Sequence, residues 1–72
     1  MLSGSRASRL TKRELIVLEH AAAGKTSTEI GQILSISRRT AEAHRASVMR
    51  KLGLKNQTDL VLYAIRNGLM TP

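Results

Sequence analysis

Arg38, Arg39, Arg45, Arg50 and Lys51 all fall within the stretch Ser37 to Leu52, SRRTAEAHRASVMRKL, and Glu42 is its only acid. The run contains no proline or glycine and opens on a serine, the pattern of one uninterrupted helix capped by Ser37. Long basic side chains on a rod kept slim by alanines suit a polyanionic groove, where the backbone must come close to base edges. On a wheel of about 100° per residue, Ala41, Val48 and Leu52 share one stripe, flanked by His44 and Arg45. Arg39, Ala43, Ala46 and Arg50 lie opposite, with Glu42 to one side.

These residues sort by the contacts they could make. Arg39, Glu42, Ala43 and Ala46 are candidates for base edges. Thr26, Thr28, Ser37, Arg38, Thr40, Arg45, Arg50 and Lys51 are candidates for phosphate, the hydroxyls because they sit at or near helix N-termini whose free N–H groups attract anions. Two readings of Glu42 stand: it accepts a hydrogen bond from cytosine N4, or it pairs with Arg38, Arg39 or Arg45 one turn away and orients that arginine. Ala43 and Ala46 either touch thymine methyls or only permit close approach. Arg45 lies towards the core, with its stem packed and its head on an acid or a phosphate. Lys51 points nearer the core flank than the groove. His44 has no second ligand or nucleophile in a matching position and reads as a packing, hydrogen-bonding histidine; His20 reads as solvated.

Composition narrows the partner. The 72 residues make one small domain, with a formal charge of +7 and a pI near 11.3; that exceeds the needs of solubility and points to nucleic acid. One tyrosine and no tryptophan or phenylalanine argue against stacking on single strands or RNA, and against an aromatic-anchored membrane helix. Duplex DNA remains. The absence of cysteine excludes disulfides, thiolate metal sites and cysteine nucleophiles, and two histidines are too few for a closed zinc site. No acid/base pair or phosphate loop can be assembled, so neither an enzyme nor a cofactor or metal is expected. No apolar run approaches the roughly 18 residues of a membrane span, and MLSGSRAS lacks the apolar segment of a signal peptide; a cytoplasmic, non-membrane protein is expected.

The elements that must position the basic helix are legible from their caps. Residues 1–9 are rich in Ser, Gly and Arg and read as a linker; residues 10–70 read as the folded unit. Thr11-Lys-Arg-Glu14 is a capping box, with Leu10 and Leu15 as its staple, and opens a helix over 12–23 that Gly24 closes. Val17, Leu18 and Ala21 should face the core, with Leu15 or Ile16 at its edge. Thr26-Ser-Thr-Glu29 repeats the box and starts a helix over 27–34 with Ile30, Ile33 and Leu34 inward. Gly31 inside it costs up to about 1 kcal/mol relative to alanine, which close packing would repay. Ile36 fills the turn before the basic helix, 38–52, which Gly53 ends; short helix, turn and longer basic helix form a helix-turn-helix. Asn56 caps a fourth helix over 57–67, with Leu60, Val61, Ala64 and Ile65 inward, Gly68 beyond its end and Leu69 closing it. Leu62 falls outside that stripe, beside Arg66, and hints at a partner. The expected fold is all-α, a four-helix domain containing a helix-turn-helix.

In register from Leu10 to Leu69, the chain resembles the helix-turn-helix domain of LuxR/FixJ/NarL-type (GerE-like) bacterial transcription regulators. The matching residues are LTKRE at 10–14, AAAGKT at 21–26, Glu29-Ile30, LSIS at 34–37, Thr40 with His44, RKLG at 50–53 and AIRNGL at 64–69. The RRTAEAHRASVM stretch looks closest to the FixJ-like response-regulator branch of two-component systems. The resemblance implies four helices, the third reading the major groove in a sequence-specific way and the fourth supporting a homodimer on paired half-sites, with Leu62 and Arg66 as candidates. It also implies that full-length relatives carry an N-terminal receiver or sensing domain. RNA polymerase is a further candidate partner. The family's base-reading positions fall on Glu42, Ala43 and Ala46; many relatives have lysine in place of Glu42 and valine in place of Ala41. The competing class is a helical protein-interaction module whose basic face only solubilises it.

Overall fold

The structure is a computed structural model that describes residues 9–69, in which four helices follow one another: α1 (Lys12–Ala22), α2 (Ser27–Leu34), α3 (Arg38–Leu52) and α4 (Gln57–Arg66). No strand occurs among the described residues. The expected ends at 23 and 67 are the C-cap residues Ala23 and Asn67. The expected linker, 1–9, lies outside the described residues except for Arg9, as does residue 70.

Each helix starts where a side chain replaces the missing turn. In α1 and α2 both halves of the capping box form: Thr11 N donates to Glu14 Oε1 at 2.9 Å and Glu14 N to Thr11 Oγ1 at 3.1 Å. Thr26 N donates to Glu29 Oε1 at 2.8 Å, and Glu29 N to Thr26 Oγ1 at 3.1 Å. Ser37 and Asn56 cap α3 and α4 through the N–H groups of Thr40 and Asp59. All four helices end alike, with an N–H returning five residues: Lys25 to His20, Ile36 to Gly31, Leu54 to Met49 and Leu69 to Ala64, at 2.8–3.1 Å. The left-handed residue this closure needs is glycine at 24, 53 and 68 but Ser35 in the helix-turn-helix turn, at φ 58°. Ile36, Leu54 and Leu69, which follow, pack on the core.

The core draws on every helix: Val17, Leu18, Ala21 and Ala22 of α1, Ile30 of α2, Ala41, Val48 and Leu52 of α3, and Leu60 and Ala64 of α4. Leu18, Ile30 and Leu60 are fully buried, each stabilising the fold by about 2–3 kcal/mol relative to exposure. Helix α3 packs on both α1 and α2, while α4 packs on α1.

Two inward assignments need correction. Ile33 is 49% exposed, and the buried residues of α2 are Ile30 and Gly31. A Cβ on Gly31 would lie 2.7 Å from the Ile36 carbonyl oxygen and 3.3 Å from Arg38 N. The bare glycine lets the turn and the start of α3 press onto α2, so the inner face of α2 rotates towards it and away from Ile33. In α4, Val61 and Ile65 are only half-buried, whereas Tyr63 packs on the core.

Candidate nucleic-acid interface

Helix α3 separates its two jobs by face. Ala41, Val48 and Leu52 are buried, while Arg39, Glu42, Ala43, Ala46 and Arg50 are all exposed, so the wheel assignment of the outer face agrees with the structure. Its N-terminus differs from the other three. The first turns of α1, α2 and α4 carry Glu14, Glu29 and Asp59; that of α3 carries no acid, and its first two residues are Arg38 and Arg39. A helix N-terminus already bears a partial positive charge of about half a unit, so two arginines there are mutually unfavourable until an anion arrives. Ser37 Oγ accepts from Thr40 N at 3.0 Å and donates to Thr40 Oγ1 at 2.9 Å. That leaves the exposed Thr40 hydroxyl its own proton to donate outward.

Around this end the charged side chains are held in place. Arg38 Nε donates to Glu42 Oε2 at 3.1 Å, the one-turn pair that was one of the two readings of Glu42. Half-buried Arg45 donates from Nη2 to Gln57 Oε1 at 2.7 Å, and Gln57 Nε2 donates to the Ala21 carbonyl at 2.8 Å. The Arg45 head thus meets an amide, not an acid, and Gln57 ties α4 to the end of α1 while aiming Arg45. Arg45, Glu42, Ala46 and Gln57 face Lys25, Thr26 and Ser27 across an open cleft of about 480 Å³. Thr28 is exposed beside it.

On the far side, α3 is bolted to α1. Glu14, only 6% exposed, accepts from Lys51 Nζ at 2.8 Å and from Ser47 Oγ at 2.6 Å in addition to Thr11 N. The Lys51 and Ser47 hydrogen bonds, aided by Thr11 N, outweigh burial and lower the Glu14 pKa to about 2. Lys51, a phosphate candidate in the sequence, therefore directs its ammonium to Glu14. Arg50 donates to Ser47 Oγ at 3.4 Å from its exposed position. The Thr26 N–H likewise holds Glu29 below the ordinary carboxylate range. His44 is half-buried beside the core stripe; His20, expected in solvent, is half-buried too.

Sequence reasoning missed Gln57, Ser47 and the full role of Glu14. Their partners on other helices lie 12–37 residues away, and no local spacing announces them. On α4, Leu62 is 41% exposed; it and Arg66 border a concavity of about 210 Å³ with Leu54, Asp59 and Tyr63. The Tyr63 hydroxyl is buried without a hydrogen-bond partner among the described residues. No helix among the described residues is long and apolar enough to cross a membrane.

Comparison with known proteins places this geometry. Residues 8–64 match the family model "Bacterial regulatory proteins, luxR family". The chain is 50% identical over 64 residues to the transcriptional activator protein BjaR1 of Bradyrhizobium diazoefficiens, covering 89% of this chain and 26% of that protein. It is 44% identical over 59 residues to the transcriptional regulatory protein TdiR of Thauera aromatica, covering 82% and 26%. To the uncharacterized response regulatory protein YgeK of Escherichia coli K12 it is 42% identical over 62 residues, covering 86% and 42%. It therefore spans less than half the length of these relatives. No solved structure matches at a significant level. With α2, turn and α3 as its helix-turn-helix, the chain belongs to the luxR family of bacterial regulatory proteins and is a DNA-binding domain of the transcription-regulator type.

Proposed function

We propose that the chain is the sequence-specific output domain of a longer bacterial transcription regulator, working in the cytoplasm, with α3 in the major groove of duplex DNA. The observation that carries this reading is the α3 N-terminus: alone among the four it has no acid in its first turn, and it carries Arg38 and Arg39. In this arrangement Arg39, Glu42, Ala43 and Ala46 meet base edges. Thr26, Thr28, Ser37, Arg38, Thr40, Arg45 and Arg50 hold phosphates on either side and set the register. A homodimer forms on paired half-sites through α4, with Leu62 and Arg66 at its seam, and RNA polymerase is a candidate partner of the assembled complex. The chemistry asked of the chain is recognition, with no catalytic step.

Titration of DNA affinity against salt tests the reading. With about five phosphates neutralised per protomer, the log–log slope should lie near −4 to −5 for each. Salt-independent binding would sink the electrostatic account. Failure to bind any duplex at low salt would favour the alternative of a helical protein-interaction module.

A further inference from the structure

Resting on that reading, we propose that Arg38 and Glu42 act as one unit in which Arg38 holds a phosphate and positions the Glu42 carboxylate to select cytosine.

The pair stands in the open: the side chains of Arg38 and Glu42 are 69% and 50% exposed. In water such a one-turn pair contributes little to stability, so folding makes little demand on it. Its geometry is what matters. Arg38 uses Nε for Glu42 Oε2, and neither terminal nitrogen of its guanidinium has a partner among the described residues. A planar guanidinium can serve two anions at once, since its five N–H donors lie along separate edges. Glu42 Oε1, in turn, accepts no hydrogen bond within the described residues, and the residue borders the cleft it shares with Ala46 and Arg45.

A lone carboxylate at this position would be repelled by the phosphates flanking the groove. Arg38 offsets that repulsion where it arises, and it fixes one oxygen so that the other is presented in a single orientation. The major groove offers two exocyclic donors, cytosine N4 and adenine N6. Adenine places its N7 acceptor beside N6, against the lone pairs of the carboxylate, whereas the major-groove edge of cytosine carries no acceptor. The arrangement therefore selects cytosine. It joins the two readings of Glu42: the intrahelical pair is the means by which the base contact is made. Arg38 is accordingly a positioning residue as well as a phosphate ligand.

The test begins with selection of binding sites from randomised duplexes by the 72-residue chain, followed by competition at each selected position. Cytosine should be enriched at one position per half-site, and Glu42→Gln should reduce the preference there by about tenfold, within the range of a good base contact. Arg38→Ala should weaken binding to all sequences, lower the magnitude of the salt slope by about one, and also reduce the same cytosine preference severalfold. The double variant should lose no more preference than Glu42→Gln alone. Arg38→Lys, which keeps the charge without the second edge, should restore the salt slope but not the preference. Circular dichroism melts check that each exposed substitution leaves the fold intact. If Arg38→Ala lowers affinity yet leaves the preference unchanged, the positioning role is overturned. If no selected cytosine responds to Glu42→Gln, the base contact is overturned. A wild-type chain that binds duplex DNA but selects no sequence overturns sequence-specific reading itself, and this proposal with it.

Discussion

Lys51 of α3 reaches Glu14 of α1 with its ammonium 2.8 Å from Oε1, so the helix proposed to read DNA is anchored through a nearly buried carboxylate that also caps α1. Because the folded pKa of Glu14 lies near 2, below its ordinary value of 4.5, the ionised form favours the folded state. This contribution is fully present above about pH 4.5 and is lost as the pH falls from there towards 2. Glu14→Gln should destabilise the chain by about 3 kcal/mol at pH 7, and the gap should narrow steadily between pH 4.5 and 2. Urea melts at pH 7 and pH 3 measure it; a gap of the same size at both would show that the charge of Glu14 contributes nothing.

Gly31→Ala should lower stability even though alanine is the better helix former. The gain in propensity is at most about 1 kcal/mol, while the added Cβ would sit 2.7 Å from the Ile36 carbonyl oxygen, a backbone atom that cannot rotate aside. A net loss of about 1–3 kcal/mol is expected, with weaker DNA binding because α3 is pushed off α2. Thermal melts decide it: a raised melting temperature would mean that the turn yields freely.

Leu62→Glu should reduce cooperative binding to paired half-sites without changing affinity for a single half-site. The substituted side chain lies on the exposed side of α4, with Arg66 one turn on. Gel-shift titrations on one-site and two-site duplexes separate the effects. Unaltered cooperativity would remove Leu62 from the dimer seam.

The caps explain why the helix boundaries were legible in the sequence: a box or a closing turn is decided within three to five residues, and the residues at 11, 14, 26, 29, 37, 53, 56 and 68 all declare themselves. The two faces of α3 were legible for a similar reason, since one long helix keeps its phase. Ile33 was misread because a hydrophobic pattern gives no weight to Gly31, yet the missing side chain at that position decides which way α2 turns. In the site, Ser37 and the Arg38–Glu42 pair are local and could be enumerated beforehand. The clamp of Arg45 by Gln57 and the binding of Lys51 by Glu14 depend on how α1, α3 and α4 cross, which no spacing along the chain encodes.

Acids sit at the starts of α1, α2 and α4, each accepting an N–H of its own helix cap or approach, through Thr11, Thr26 and Lys55. Three positive helix ends are thereby muted and the fourth is not. On a chain of net charge +7, that makes the start of α3 a positive pole, the end that a polyanion within a Debye length would attract first. For a duplex read at this end, as proposed, arrival would be fast and indifferent to sequence, and the choice of operator would become a matter of how long the molecule stays.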